Sequence, residues 1–395
     1  MSVKTIICFI ALYISASLQA QTTLKGIIKD KETNEPLPGA ILYFPDLKSS
    51  SVSNSDGSFE IHNLPSIKAL LQVRLIGYQT VIKTIDLSQA LPVNIAMEQS
   101  HIEANEVVVT GVSKATEIKR SPVPMVSVDQ KYLQQNTATN VIDALIKVPG
   151  VNVLSTGPNV SKPYIRGLGY NRVLTLFDGV RQEGQQWGDE HGIEIDQFLI
   201  DRIEVIKGPA SLIYGSDALA GVVNLLPANT TPEGTLKGSI QTNYQSNNGL
   251  YAGSANIAGN IKSVVFGLRA TRKEATNYQN KYDGRVYNTG FKETDFNAYL
   301  GVNRKWGYSH LNMSVFDNLQ EIPDGSRDSL TRKFTKQITE EDTLRPIVTN
   351  SELNSYKIDP VHQRVQHYRL SSINQFILGQ SKLALKLGYQ QSIRR

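Results

Sequence analysis

Residues 198–225, FLIDRIEVIKGPASLIYGSDALAGVVNL, decide how this 395-residue chain is read. Arg202, Glu204 and Lys207 interrupt a strand-like run that also carries Ile200, Ile203, Val205 and Ile206, so charge and apolar packing share one element. Gly208, Gly215 and Gly221 stand at the ends of such runs, where a backbone must turn or approach a neighbour closely. The same signs occur upstream in YIRGLGYNRVLTLFDGV, residues 164–180, with Arg166, Gly167 and Gly179. Before it, NVIDALIKVPG places Val141, Leu145 and Val148 at helical spacing, and Pro149-Gly150 ends the run. Residues 115–229 therefore read as a mixed α/β domain.

Five motifs follow in order: the helix ending V-P-G-V, the I-R-G strand, the D-G turn after V-L-T-L-F, the R-I-E-V-I-K-G-P strand and Y-G-S-x-A-x-A-G-V-V-N. Together they resemble the plug domain of TonB-dependent receptors, which implies a domain seated inside an outer-membrane barrel. In that setting Arg166, Arg202, Glu204 and Lys207 are expected to pair with polar groups on the barrel's inner wall; a free-standing domain would place the same charges in solvent.

After Pro232 the pattern becomes long alternation. Leu236, Gly238, Ile240, Thr242 and Tyr244 fall on one face, and Lys237, Ser239, Gln241 and Asn243 on the other. Val264 to Ala270, Phe296 to Val302, Leu311 to Val315 and Leu383 to Tyr389 repeat the arrangement. Such alternation marks a strand with one face in lipid and one toward a wet lumen, although a soluble sandwich can show it too. Strands are expected at 235–245, 249–259, 262–274, 291–303, 307–319, 362–378 and 381–395. The long polar links after the third and fifth, 275–290 and 320–361, would lie outside the cell. The plug resemblance implies a barrel of about 22 strands. Residues 233–395 are thus expected to form its N-terminal part, an incomplete antiparallel transmembrane β-barrel of seven strands from a fragment or a prematurely ended reading frame.

The chain opens with MSVKTIICFIALYISASLQA, in which Lys4, an apolar run from Ile6 to Leu18 and small residues toward Ala20 follow the layout of a secretory signal, residues 1–20. The run is shorter than the ~20 residues that span a bilayer. Its removal takes away Cys8, the only cysteine, which excludes disulfides and thiolate metal sites. Residues 22–98 alternate short β-type runs with turn residues, and Asp56-Gly57 feeds the alternating run Ser58 to Ile61. The pieces G-x-I-x-D, P-L-P-G-A, S-D-G-S-F-E-I and I-G-Y resemble the carboxypeptidase regulatory-like domain, a transthyretin-like β-sandwich. No nucleophilic or metal-binding constellation accompanies them, so the module is expected to bind or space in the periplasm rather than to cleave peptides.

Between sandwich and plug, within 103–112, Glu106-Val107-Val108-Val109-Thr110 is a β-branched run in a polar linker. It can be an internal strand, or it can add to the edge of another protein's sheet. The run resembles a TonB box, which implies contact with the TonB–ExbB–ExbD energy-transducing complex.

A further candidate is RQEGQQWGDEHG, residues 181–192, a glycine-bounded loop between two plug strands. Gln185, Gln186, Trp187, Asp189, Glu190 and His191 are its expected ligand-binding residues, and Asp189, Glu190 and His191 suit a metal ion. V-L-T-L-F-D-G-V resembles receptors for zinc, haem and iron chelates more than those for glycans. No resident cofactor is required; a metal would enter as part of the transported ligand. The excess of 41 Lys+Arg over 36 Asp+Glu is +5, or +4 without Lys4, too small to point to nucleic acid. The fold class expected is mainly β, and the function expected is TonB-dependent active transport of a metal ion or chelate across the outer membrane. A secreted metalloenzyme is disfavoured because no H-E-x-x-H occurs and His62, His101, His310, His362 and His367 are scattered. An adhesive sandwich protein leaves the plug motifs unexplained.

Overall fold

The computed structural model describes residues 22–89, 92–100, 107–108, 116–117, 123–136, 138–184, 188, 191–208, 211–338, 342, 344–379 and 381–395. Seven strands, β1 (Thr22–Asp30), β2 (Ile41–Phe44), β3 (Ser49–Val52), β4 (Ser58–Leu64), β5 (Lys68–Arg74), β6 (Val81–Asp86) and β7 (Val93–Met97), make two sheets, ordered β4-β1-β7 and β3-β2-β5-β6. Alternation drives their stacking: in β4, Phe59, Ile61 and Leu64 turn inward and Glu60 and His62 outward. The core closes on Ile28, Leu42, Phe44, Leu71, Val73 and Met97, all fully buried. The short link from β2 to β3 is a single turn, Pro45–Leu47, ending at Lys48 with φ 49°.

Two short strands, β8 (Val107–Val108) and β9 (Thr116–Glu117), pair with each other. The central domain follows with β10 (Met125–Val128), helix α1 (Gln130–Gln135), β11 (Val151–Gly157), β12 (Val160–Ile165), β13 (Val173–Phe177), β14 (Val180–Arg181), β15 (Ile200–Lys207), helix α2 (Ser211–Tyr214) and β16 (Gly221–Pro227). One mixed sheet runs β10-β15-β16-β13-β14, and β11 with β12 forms a separate hairpin. The helix expected over NVIDALIKVPG is only a 3-10 turn, Asp143–Lys147. Asn140 Oδ1 accepts from the amides of Ile142 and Asp143, fixing the start. Pro149 and Gly150, the latter at φ 75°, end it before α-helical bonding can propagate. Its apolar positions still reach the core, where Val141, Leu145 and Val148 join Ile203, Val205 and Val223.

The last region is a seven-stranded antiparallel sheet made of β17 (Thr235–Gln245), β18 (Leu250–Ile261), β19 (Val264–Ala275), β22 (Phe291–Arg304), β23 (Gly307–Glu321), β24 (His362–Leu378) and β25 (Ser381–Arg394) in chain order. The interposed β20 (Gln279–Asn280) and β21 (Gly284–Arg285) form a small hairpin within a link. Register keeps every strand's parity: Ile240, Ala255, Ala270, Phe296, Val315 and Tyr368 form one cross-strand row, and Gln241, Ser254, Thr271, Asp295, Phe316 and His367 the next. The first kind of row leaves Leu236, Ile240, Leu300, Leu311 and Leu387 exposed on the outer face. On the inner face, glycines admit rings from neighbouring strands: a Cβ at Gly267 would lie 2.3 Å from the ring of Tyr299, and one at Gly301 equally close to that of His310. Among the described residues no helix is long and apolar enough to cross a membrane, a statement that leaves spanning by strands untouched.

The two ends of this wall differ. Turns at Lys262-Ser263 and Lys305-Trp306 are tight, whereas the links after β19 and β23 are long and pack together through Val286, Tyr287, Phe334 and Val348. Helix α3 (Asn350–Leu353) lies in the second link, closed by a Thr349–Glu352 capping box. The sandwich sits at the tight-turn end, where the Asn63 amide donates to the Ser263 hydroxyl at 2.8 Å and Asp46 pairs with Lys382 at 2.9 Å.

Candidate functional site

The central domain meets the wall through a short alternating stretch, Ile193-Glu194-Ile195-Asp196. Both isoleucines enter the domain's core, so strand-like alternation turns both carboxylates outward to the wall. Glu194 receives His367 Nδ1 at 2.5 Å, Ser392 at 3.3 Å and the guanidinium of Arg394. Asp196 receives Thr271 at 2.8 Å and Asn297 at 3.3 Å, while its other oxygen caps the following turn at the Phe198 amide, 2.9 Å away. Burial raises the pKa of Asp196 above the carboxylate range, with the charge of Lys273 opposing the shift. Gln182 accepts from Arg369 at 3.0 Å, and that guanidinium lies 3.7 Å from the centre of the Phe177 ring. Beside them Lys273 and Glu293, both almost wholly buried, pair at 2.7 Å.

The residues expected to touch the wall are placed as follows. Arg202 pairs with Glu204 on its own strand at 3.2 Å, Lys207 donates to the carbonyl of Pro149, and Arg166 is exposed at φ 51° with its amide on Gly150. Among the described residues, contacts to the wall include those of Asn159, Gln182, Glu183, Glu194 and Asp196, of which only Glu183, in the 181–192 loop, was marked by the sequence. The I-E-I-D alternation was the available signal, and His367 lies on the inner parity of its strand, opposite to His362.

Of the expected ligand loop, Gln185, Gln186, Trp187, Asp189 and Glu190 lie outside the described residues. Its described parts are held against β12: Lys162 donates to the Gly188 carbonyl, and a Cβ on Gly192 would lie 3.4 Å from Ser161 N. The amide of His191 donates to Gly188 at 3.2 Å. Among the described residues no three His, Cys, Asp or Glu side chains form a metal-binding group. Of the expected TonB-contact run, Val107 and Val108 form β8 against β9, and Val108 is fully buried with Leu176, Ile206 and Val222; Glu106, Val109 and Thr110 lie outside the described residues.

A cavity of about 420 Å³ opens at the long-link end. The tip of the β11–β12 hairpin, Ser155 to Pro158, forms its floor, and Asn247, Asn248, Tyr278 and Thr289 line its sides. Hydroxyls and amides dominate, groups that hydrogen-bond an oxygen-rich ligand without committing to its charge.

Residues 117–222 match the TonB-dependent receptor plug domain, and residues 24–109 the CarboxypepD_reg-like domain. Among curated relatives, an iron-regulated outer membrane virulence protein of Vibrio cholerae is 40% identical over 126 residues, 30% of this chain and 19% of the relative. A hemin receptor of Yersinia enterocolitica is 35% identical over 31% of this chain and 18% of its own length. A vitamin B12 transporter of Photobacterium profundum is 27% identical over 57% of this chain and 39% of its own. The first of these matches therefore spans about a fifth of the relative's length. Solved structures share the fold at low identity. The ferric yersiniabactin uptake receptor of Yersinia pestis aligns with a TM-score of 0.51 at 17% identity, over 69% of this chain and 41% of that one. The Serratia marcescens hemophore receptor, solved with its hemophore and heme, aligns at 0.52 and 16% over 69% and 38%. With its central domain seated by buried carboxylates against an antiparallel wall that is polar within and apolar without, the chain carries a domain that matches the TonB-dependent receptor plug and shares its fold with solved uptake receptors.

Proposed function

We propose that the protein imports a scarce nutrient across the outer membrane in a TonB-dependent manner, with the plug gating the barrel, and that the cargo is a metal ion or metal chelate such as a ferric siderophore, haem or zinc. The observation that carries this reading is the plug itself, standing between a polar cavity at the long-link end and the sandwich at the tight-turn end. The tight-turn end faces the periplasm, which puts the sandwich there and the long links outside the cell. The run Glu106 to Thr110 engages the TonB–ExbB–ExbD complex, and residues 185–191 contact the cargo as it meets the plug. Relatives named as iron-regulated, hemin and vitamin B12 proteins support a chelate-sized cargo.

Growth and labelled uptake on ferric chelates, haem, zinc and cobalamin, compared between a gene-deletion strain and its complemented parent, test the proposal. Loss of one uptake activity on deletion is expected. Unchanged uptake of all four, or recovery of the intact gene product in soluble periplasm, would overturn it. With the cargo identified, changing Asp189, Glu190 and His191 together to Ala should weaken binding to intact cells at equal receptor abundance. Equal affinity would move the ligand site to the 420 Å³ cavity.

A further inference from the structure

A second and larger cavity, about 700 Å³, lies between the sandwich, the plug sheet and the inner wall. Its charge is unbalanced. The lining carboxylates are Asp46, Asp178 and Asp201: Lys382 engages the first, Lys48 the second, and the third lies in the field of Arg202. Opposite them the wall presents Lys237, Arg269, Arg369 and Lys386. Among the described residues none of these four has a carboxylate within 4.0 Å. Arg269 bonds to Ser254 at 2.8 Å and Gln241 at 3.4 Å, and Arg369 to Gln182 and the Phe177 ring, all neutral groups. Arg369 is only 5% exposed and Arg269 is half-buried; Lys237 and Lys386 are more open.

Strand register explains why the cations face one space. Arg269 and Arg369 belong to a single inward row, Ser239, Asn256, Arg269, Asn297, Ser314 and Arg369, with only small neutral polar residues between them. Two intervening strands separate the guanidinium groups by roughly 14 Å along the wall, leaving room for a molecule between them. Lys386 bends over the Asp178-Gly179 turn, its Nζ 2.0 Å from where a Gly179 Cβ would stand. The two guanidinium groups are the members of this set drawn from water, and such charges with no carboxylate in direct contact are costly. An anion in the cavity relieves that cost.

We infer that this cavity is an anion-receiving chamber on the exit side of the plug, which binds carboxylate or phosphate groups. Only the direction of passage, from plug to chamber to periplasm, rests on the import reading; the anion site itself does not. The sandwich turn Pro45–Leu47 with Lys48 closes the chamber's lower side, so an anion there sits against the contact between sandwich and plug.

The test uses the intact receptor in detergent at about 0.05 M salt, where screening is weak. Citrate and inorganic phosphate are titrated into the wild type, R269Q/K386Q and the charge-conserving R269K/K386R; Arg369 is left in place because it also packs on Phe177. Citrate should bind the wild type and R269K/K386R, and its affinity should fall about tenfold or more in R269Q/K386Q. Phosphate binding as well as citrate would identify a general anion site, and weaker phosphate binding a site for a multi-carboxylate cargo; both support the chamber. Absence of binding by the wild type, or equal binding by all three proteins, would overturn it. Selenate soaked into wild-type crystals needs no variant: an anomalous peak between Arg269 and Arg369 supports the site, and a chamber without one refutes it. Uptake measured in parallel separates the two readings, since transport without anion binding removes only the chamber, and anion binding without transport removes only the import role.

Discussion

At the scale of single residues, Lys48 ties three parts of the molecule together. Its ammonium pairs with Asp178 of the plug at 2.7 Å, and its carbonyl accepts from Thr230, in the link after the plug, and from Asn303 of the wall. Burial works against both charges, yet each partner's field wins: Asp178 is held below the usual carboxylate range and Lys48 above the usual amine range. For Asp178, the depressed pKa contributes stability that is present above the unfolded value, near 4, and is lost as pH falls through the folded one. For Lys48, the raised pKa contributes stability present below about 10.4 and lost as pH rises through the folded value. The seating of the sandwich should therefore be constant between about pH 4 and 10 and weaken on either side. Lys48→Met strands Asp178 without its partner and should cost roughly 3 kcal/mol. Adding Asp178→Asn should recover most of that loss. Hydrogen exchange at the amides of Phe44 to Ser49 measures both effects, and equal protection in the wild type and Lys48→Met would show the pair to be idle.

At the scale of elements, the pair β8–β9 gives the β-branched run two possible partners. Inside the chain Val108 lies opposite Thr116; in TonB-dependent coupling the same edge would serve another sheet. Proline at either position disrupts the internal pair, but only Val108→Pro also spoils the run itself. Uptake is expected to fall in Val108→Pro with surface binding retained, and to persist in Thr116→Pro. Equal loss in both would mean that the internal pair, not strand exchange, is what matters. The long strands were legible because sustained period-two alternation suits a half-buried strand and little else: β17 and β24 run 235–245 and 362–378 as read from sequence. The 3-10 turn at 143–147 was not, because apolar spacing records which side is buried and not how tightly the backbone winds. The carboxylates of Glu194 and Asp196 were readable only from four residues of alternation, too short to stand out without the wall in view. Arg166, Arg202, Glu204 and Lys207 stand within the motifs, and Arg202 pairs with Glu204 along its own strand.

At the scale of the whole molecule, sandwich, plug and wall are joined mainly by polar contacts, with an apolar core inside each of the first two. That division permits relative movement: polar junctions can exchange protein partners for water or cargo, whereas opening an apolar core exposes surface at about 25 cal/mol per Å². Among the described residues the wall has no apolar core of that size, and its strands must be aligned by other means. The glycines at 267 and 301 supply one. Each is a notch into which the ring of Tyr299 or His310 fits, and sliding either strand by two residues would set the ring against a side chain. Gly267 indexes β22 against β19 and Gly301 indexes β23 against β22, so the alignment is handed from strand to strand. The stagger accumulated in this way governs how steeply strands lean and how wide a closing sheet becomes, so two residues without side chains help to set the width of any barrel this sheet joins.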